Sequence, residues 1–315
     1  MTFADFMRLA LYDPQVGYYR RARRRVGYSP GTDFFTASTS GPVFGGLVAA
    51  ACTELLRGSD LQEFTFVEIG AEPTDSAASG VDGGVLSGVE HPFGTAKVVH
   101  VGESLALSGP CVIFSNELFD AQPFRRFVFR QEQWRELGVA LRDARLQPIE
   151  IPGPPARLPA GTLPSSAPEG YMIDAPLAAV ALLEHIAAQP WTGLFVACDY
   201  GKSWQELTEA CPEGTARAYY RHTQSNDLLA RPGGQDLTCH ICWDWLTAVL
   251  DQQGFSDVQV DSQETFWVRH ATEFIAQTSA AEAAHFSQKK LSLLQLLHPA
   301  HLGQKYQVLH AWRAA

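Results

Sequence analysis

The strongest pattern in the sequence is a set of short apolar runs with little alternation of polar residues. These runs cover residues 64–69, 96–101, 111–114 and 194–198. Strands of a parallel sheet that is covered on both faces need such continuous runs. The pattern therefore predicts four parallel strands with helices packed on both faces of their sheet.

Helical spacing of apolar residues dominates several of the other segments. It predicts helices over 3–12, 42–56, 177–188, 243–254 and most of 271–297. Two antiparallel strands are expected in 124–139, an irregular Pro-rich connection in 146–170, and a loop-rich segment in 201–238. Short strands are expected at 258–260, 266–268 and 306–310. Alternating strands and helices with late antiparallel strands predict an α/β fold with a Rossmann-like sheet.

Composition and charge narrow the class of protein. Of 315 residues, 46% are hydrophobic and 18% are charged, as in a globular protein rather than a disordered one. The net charge of -10 argues against a general nucleic-acid binder, whose surface would be basic. The basic run at 20–25 is local, and it is either a solvated loop or a contact for phosphate or for an acidic partner.

The sequence also bears on the location of the protein. No run of about 18 apolar residues is present, so we expect no membrane span. No basic stretch followed by an apolar one opens the chain, so we expect no secretory signal. The cysteines are scattered, and several lie in apolar runs as reduced thiols do, which favours a cytoplasmic protein.

Polar residues lie at the ends of three of the predicted strands. Glu68, followed by Gly70, ends the first, Asn116, Glu117 and Asp120 follow the third, and Asp199 follows the fourth. Ligands of open α/β sheets bind at the carboxyl ends of strands, and desolvated carboxylates are costly without partners. We expect a ligand site at these ends, with plain strand ends or internally satisfied loop caps as the alternative.

Candidate metal ligands lack the partners that a site needs. Cys239, His240 and Cys242 resemble half of a zinc site, but the sequence holds no second matched pair. Glu184 and His185 have no partner at helical spacing. We therefore expect no bound metal.

Several spaced motifs resemble, in the same order, those of the MidA-like methyltransferases, the family of the mitochondrial complex I assembly factor that methylates a protein arginine. The first motif combines Phe3–Phe6 with residues 12–19, and the second combines residues 31–36 with 43–45. The third is 115–123, the fourth is 199–201, and the fifth combines 214–222 with 234–238. The resemblance covers most of the chain. It implies a class I methyltransferase fold, S-adenosyl-L-methionine (SAM) as cofactor, and a protein as substrate or partner.

The resemblance also implies roles for individual residues. Glu117 and Asp120, assisted by Asp33, would be the catalytic residues that hold a cationic acceptor. The cofactor-binding residues would be Thr36, Glu68, Gly70, Ser115 and Asn116. The substrate cleft would include Tyr19, Asp199, Tyr200, Arg221, His222 and Asp236.

Four regions of the chain are expected on the same basis. Residues 1–60 form an N-terminal segment of helix and loop. Residues 61–200 form the Rossmann-like core, with a β-rich and Pro-rich interruption at 124–170. Residues 201–254 form an inserted region that covers the cleft, and residues 255–315 complete the core with strands and helices.

One part of the chain departs from the family pattern. The family's first strand is followed by a Gly-rich turn and by a second strand whose final acid holds the ribose of SAM. Residues 96–110 match the family's third strand and the loop after it. Only residues 71–95 then remain to form the helix, the second strand and the next helix. Such a unit needs more than about 30 residues. We expect the second strand to be reduced or missing, with Asp82 or Glu90 replacing the ribose acid.

Three functions stay open from the sequence. The first is SAM-dependent methylation of a protein, at an arginine. The second is a catalytically impaired pseudo-methyltransferase that binds a protein or acts as an assembly factor. The third is binding of a different nucleotide-like ligand in the altered pocket. None of them involves nucleic acid or a membrane as partner, and the oligomeric state is not indicated.

Overall fold

The computed structural model describes residues 1–21, 23, 25–71, 83–153, 163–283 and 287–314. The chain forms two compact units, each assembled from three stretches of sequence. The first unit comprises Met1–Arg23, Phe119–Glu184 and Gly201–Leu246, and the second comprises Arg24–Leu118, His185–Tyr200 and Thr247–Ala315. The division into four regions expected from the sequence stays a prediction.

Strands and helices alternate along the chain. The strands are β1 (Thr65–Ile69), β2 (Thr95–Val99), β3 (Gly109–Asn116), β4 (Arg125–Arg130), β5 (Gln133–Arg142), β6 (Arg145–Glu150), β7 (Met172–Ala175), β8 (Trp191–Asp199), β9 (Gly201–Lys202), β10 (Arg217–Tyr220), β11 (Thr223–Ser225), β12 (Asp236–Thr238), β13 (Ile241–Cys242), β14 (Ser256–Ser262) and β15 (Gln307–Arg313). The helices are α1 (Phe3–Tyr12), α2 (Pro42–Leu55), α3 (Leu177–Ala187), α4 (Trp204–Glu209), α5 (Trp243–Gln252), α6 (Gln263–His270), α7 (Thr272–Ala281) and α8 (Gln288–Leu297). None of these helices is long and apolar enough to cross a lipid bilayer.

A six-stranded sheet forms the centre of the second unit. Its strand order is β14-β15-β8-β3-β1-β2. Neighbours among β1, β2, β3 and β8 are parallel, while β15 pairs antiparallel with both β8 and β14. The predicted parallel strands, the late antiparallel strands and the Rossmann-like α/β fold are confirmed.

The strand order creates a crevice between β1 and β3. The chain leaves β1 on one side to form β2, and it then crosses to the other side to form β3 and β8. Ligands of open α/β sheets bind outside the carboxyl ends of the strands at such a reversal. Here these ends are Ile69 in β1 and Asn116 in β3.

Helices cover this sheet with one apolar core. Helix α2 packs against α6, α7 and α8. Its Phe44 is 1% exposed, and the ring centroid lies 6.2 Å from that of Phe114 in β3 and 5.9 Å from that of Trp267 in α6. Because α2 is buried along most of its length, this helix anchors the segment that precedes it, residues 25–41, to the sheet unit.

Strand β2 lies directly beside β1, with Thr65 opposite Thr95 and Ile69 opposite Val99. It is formed by the run that matched the family's third strand in the sequence. Within the described residues the sheet ends at β2, and the prediction that the second strand is reduced or missing stays a prediction. Asp82 lies outside the described residues, and Glu90 is exposed.

The first unit contains a four-stranded antiparallel sheet in the order β6-β5-β4-β7. A buried ion pair crosses it, in which Arg126 donates to the two carboxylate oxygens of Asp174 at 2.7 and 2.9 Å. The same carboxylate accepts the backbone N–H groups of Thr215 and Ala216, both at 2.8 Å. Asp174 thereby fixes the 214–216 segment, which leads into β10, to this sheet.

Two predictions of local structure were wrong. Residues 146–150, expected to be irregular, belong to β6, an edge strand on which Pro148 is tolerated. The 201–238 segment, expected to be rich in loops, also contains α4 and the small sheet β11-β10-β12. Residues 266–268, expected to be a strand, lie in α6, because the Ser262 hydroxyl caps that helix by accepting from the N–H of Thr265.

Candidate functional site

The carboxyl end of β1 carries a buried carboxyl group and a close-packed glycine. Glu68 is 8% exposed, and its Oε2 accepts the N–H of Val85. Burial raises the pKa of Glu68 to about 7, while the Val85 hydrogen bond and the nearby His100 oppose this shift. Gly70 has a φ of +83°, and a Cβ at this position would lie 2.7 Å from Leu118 Cδ1. The turn after β1 therefore requires glycine.

The carboxyl end of β3 carries two buried polar atoms that have no hydrogen-bond partner among the described residues. They are the Oγ of Ser115 and the Oδ1 of Asn116. The Nδ2 of Asn116 donates to Oε1 of Glu117 at 3.1 Å. Because buried polar atoms are rarely left unpaired in native proteins, these two atoms are suited to a polar ligand in the crevice.

Glu117 follows β3 with a φ of +51°, which is uncommon for a residue with a side chain. Its N–H donates to the carbonyl oxygen of Cys198 in β8 at 2.9 Å. The hydroxyl of Tyr306 donates to its Oε2 at 3.0 Å. Backbone conformations of this kind cost about 1–3 kcal/mol and cluster at functional sites. The Glu117 carboxylate is thus held in place by neighbouring strands.

The carboxyl end of β8 lies beside the beginning of β15. Asp199 is fully buried, and its Oδ1 accepts the N–H of Tyr200 at 2.8 Å. The rings of Tyr200 and Tyr306 meet edge to face, with centroids 5.6 Å apart. Tyr306 reaches this position because the antiparallel register pairs Gln307 with Asp199. It contacts two of the predicted site residues, Glu117 and Tyr200.

Asp33 and Thr36 lie in the segment that precedes α2. Asp33 is fully buried, and its N–H donates to the carbonyl oxygen of Arg25 at 2.7 Å. The Oγ1 of Thr36 accepts the N–H of Ser38 at 3.2 Å and so caps the short turn Ala37–Ser40. These contacts fix the local backbone, and the catalytic and cofactor roles of the two residues stay predictions.

In the first unit, Tyr19 and Asp236 are directly bonded. The Tyr19 hydroxyl donates to Oδ1 of Asp236 at 2.8 Å, and the same oxygen accepts the N–H of Leu237. The Tyr19 ring stacks on that of Tyr12, with centroids 5.6 Å apart. Burial and then the charge of Asp236 raise the pKa of Tyr19 well above its ordinary value, so the phenol stays a hydrogen-bond donor.

The other predicted residues of the first unit differ in their surroundings. Asp120 is 3% exposed, and its carbonyl oxygen accepts the N–H of Cys239 at 2.9 Å. Its charge contributes to the raised pKa of Tyr19. Arg221 and His222 form the exposed turn between β10 and β11, with the positive φ values of 47° and 61° that a two-residue hairpin requires. Their place in a substrate cleft stays a prediction.

The structure therefore groups the predicted site residues in two places. The strand ends of the second unit hold Glu68, Gly70, Ser115, Asn116, Glu117, Asp199 and Tyr200. The first unit holds Tyr19, Asp236 and Asp120. The sequence did not reveal Tyr306, because no local motif marks it and it is 189 positions from Glu117.

Two crystal structures are similar to this chain. One is a protein from Burkholderia thailandensis bound to S-adenosyl-homocysteine, with a TM-score of 0.83 and 24% identity over 99% of this chain and 88% of that protein. The other is a native structure from Burkholderia thailandensis, with a TM-score of 0.78 and 24% identity over 99% of this chain and 87% of that protein. These likenesses confirm the fold of a class I methyltransferase.

A family model places the sequence more specifically. No curated protein matches the sequence. The family described as "Putative S-adenosyl-L-methionine-dependent methyltransferase" matches residues 89–260, which is more than half of the chain. The match confirms SAM as the cofactor. The chain belongs to this family of SAM-dependent methyltransferases.

Proposed function

We propose that the protein transfers a methyl group from SAM to an arginine side chain of another protein. The observation that carries the proposal is the Glu117 carboxylate, whose two oxygens accept hydrogen bonds from Asn116 and Tyr306. A carboxylate held in a fixed position binds the planar guanidinium in a defined geometry. The resemblance of residues 115–123 to the MidA-like box supports the same acceptor.

The strand ends of the second unit fit SAM in three respects. Gly70 turns the chain at a φ of +83° directly after β1, at the strand end where ligands of open α/β sheets bind. The unpartnered Ser115 Oγ and Asn116 Oδ1 can pair with the hydroxyl and amino groups of the cofactor. Glu68, with a pKa of about 7, can both donate and accept a hydrogen bond near neutral pH. We assign these residues to cofactor binding, together with Thr36.

Bound SAM supplies an electrophilic methyl group on a positively charged sulfur. Glu117 would hold the acceptor's guanidinium so that one nitrogen faces this methyl group. The hydrogen bonds from Asn116 and Tyr306 prevent the carboxylate from rotating, so that less reorganisation is needed when the acceptor binds. The chain's contribution is thus orientation and charge, as expected for a reaction between two bound partners.

The charge of the chain favours a basic acceptor segment. The net charge is -10, and Asp33, Asp120, Asp199 and Asp236 are all buried near predicted site residues of their own unit. A negative potential raises the local concentration of a cationic peptide and its association rate. We assign Asp120 and Asp33 to support of the acceptor, and Tyr19, Asp199, Tyr200, Arg221, His222 and Asp236 to the cleft.

The experiment compares the wild type with Glu117→Gln. SAM binding is measured by calorimetry, and transfer is measured with methyl-labelled SAM and a lysate of cells that lack this protein. We expect the variant to bind SAM with unchanged affinity and to transfer methyl groups about 100-fold more slowly, because it loses one charged group that acts on the acceptor.

Acid hydrolysis of the labelled proteins identifies the acceptor. Recovery of methylarginine supports the proposal, while label on lysine or on a small molecule contradicts the arginine acceptor. SAM binding without transfer to any protein would favour the pseudo-methyltransferase. Absence of SAM binding would contradict the assignment of the cofactor site.

A further inference from the structure

Three side chains of metal-ligand type converge in the second unit, outside the candidate methyltransferase site. Asp261 lies in β14, His270 ends α6, and His310 lies in β15. One ligand atom from each lies within 4.8 Å of the other two. The three residues come from neighbouring elements, because β14 pairs with β15 and α6 follows β14 directly.

The two imidazoles present unused nitrogens to this cluster. The Nε2 atoms of His270 and His310 are both buried and have no hydrogen-bond partner among the described residues. The His310 side chain is only 5% exposed, so its Nε2 has little access to water as a substitute partner.

One of the three separations is close to that of two ligands of a small metal ion, and all three ligand atoms lie within 4.8 Å of one another. Asp261 Oδ2 lies 3.6 Å from His310 Nε2. Two ligands of one tetrahedral zinc ion lie about 3.3 Å apart, since zinc–nitrogen and zinc–oxygen bonds are about 2.0–2.2 Å long. A shift of a few tenths of an ångström would therefore bring these two atoms to ligand distance.

The surroundings hold the two rings and the carboxylate in place. The Phe266 ring is fully buried, and its centroid lies 5.0 Å from that of His270 and 5.2 Å from that of His310. His270 is the last residue of α6, where the carbonyl end of the helix dipole attracts positive charge. Arg269 donates to Asp261 Oδ2 at 2.9 Å and so fixes the position of this carboxylate, while its own charge opposes a second cation.

We propose that Asp261, His270 and His310 bind a zinc ion. Two imidazoles and one carboxylate are a ligand set that zinc accepts, with a water molecule in the fourth position. The Asp261 side chain is 16% exposed, and His270 also lines a cavity of about 1050 Å³. Bound zinc would tie β14, β15 and the end of α6 together.

The site has no signature in the sequence. Its ligands are nine and forty positions apart along the chain, and the antiparallel pairing of β14 with β15 is what brings them together. Local spacing rules detect paired ligands within a few residues. For that reason we expected no metal from the sequence.

The test is a titration of the chelator-treated full chain with Zn²⁺ by calorimetry and with Co²⁺ by visible absorption. The variants are Asp261→Asn and His270→Gln, which spare the deeply buried His310. The control is the double variant His298→Gln with His301→Gln, an exposed histidine pair with ring centroids 5.3 Å apart. Circular dichroism confirms that each variant is folded.

We expect the wild type and the control each to bind one equivalent of Zn²⁺ tightly. The affinity of each ligand variant for Zn²⁺ should be about 100-fold weaker. The Co²⁺ spectrum of the wild type should show tetrahedral absorption without a thiolate band. The proposal is overturned if the wild type binds no stoichiometric equivalent, if the ligand variants bind as tightly as the wild type, or if only the control loses binding.

Discussion

The buried carboxyl group of Glu68 gives a stability prediction that depends on pH. Burial raises its pKa from 4.5 to about 7 in the folded protein. Between these two pH values the unfolded chain has lost the proton while the folded protein retains it. The free energy of unfolding therefore falls as pH rises, by about 1.4 kcal/mol per pH unit and by about 3.5 kcal/mol across the window. The loss is complete above pH 7.

Glu68→Gln removes this titration and keeps the size of the side chain. The variant should therefore lack the wild type's decline in stability between pH 5 and pH 8, and the stability difference between the two proteins should change by about 3 kcal/mol over that range. Urea unfolding at several pH values measures it, with the slope m checked for constancy. Other titrating groups cancel, because both proteins contain them.

Glu63→Gln is the matched control, since Glu63 is exposed and lies five residues away. Its pH profile should run parallel to that of the wild type. If the Glu68→Gln profile also runs parallel to the wild type, Glu68 ionises normally in the folded protein and the reasoning is wrong. If instead the wild type becomes more stable than Glu68→Gln as pH rises, the folded protein stabilises the ionised form of Glu68, and the reasoning is also wrong.

Three further substitutions test other contacts. Tyr306→Phe removes the hydroxyl that bonds Glu117, and kcat for methyl transfer should fall about fivefold to tenfold with SAM affinity unchanged, because such a bond contributes about 1–1.5 kcal/mol. Asp174→Asn leaves the buried Arg126 without its charge partner, and urea unfolding should show a loss of about 3–5 kcal/mol. Gly70→Ala places a Cβ 2.7 Å from Leu118 Cδ1, and both thermal stability and calorimetric SAM affinity should fall.

Each of these variants has a control of the same chemistry. The control for Tyr306→Phe is Tyr219→Phe, which removes an exposed hydroxyl. The control for Asp174→Asn is Asp251→Asn, which changes an exposed carboxylate. The control for Gly70→Ala is Gly88→Ala. Gly88 also has a positive φ, of 71°, but a Cβ added there would meet no atom within 4 Å. Equal losses in a variant and its control would mean that the contact named above does not cause the effect.

The sequence predicted best those elements whose signal is local. The apolar runs of β1, β3 and β8 and the helical spacing of α2 are properties of a few neighbouring residues, and the structure confirms all four. The 266–268 segment misled because Phe, Trp and Val favour strands. The cap at Ser262 and the packing of Phe266 in the core override that preference.

The site could be predicted only in part, for the same reason. Glu68 and Asn116 are marked by their position after apolar runs, which is visible in the sequence. Tyr306 reaches the candidate site, and His310 reaches the proposed zinc site, through the register of β15, which pairs residues far apart along the chain. No local pattern contains that register, so these residues emerge only when the strands are paired.

The insertion of β15 between β8 and β14 has a consequence for synthesis of the chain. The ribosome completes β8 about 100 residues before β15, a delay of about 5–20 s at ordinary elongation rates. During that interval the β8 edge, which includes Phe195 and Val196, has no strand to pair with on the side that β15 later occupies. Unpaired apolar edges recruit strands from other molecules. A nascent chain stalled before residue 307 should therefore depend on chaperones that shield this edge.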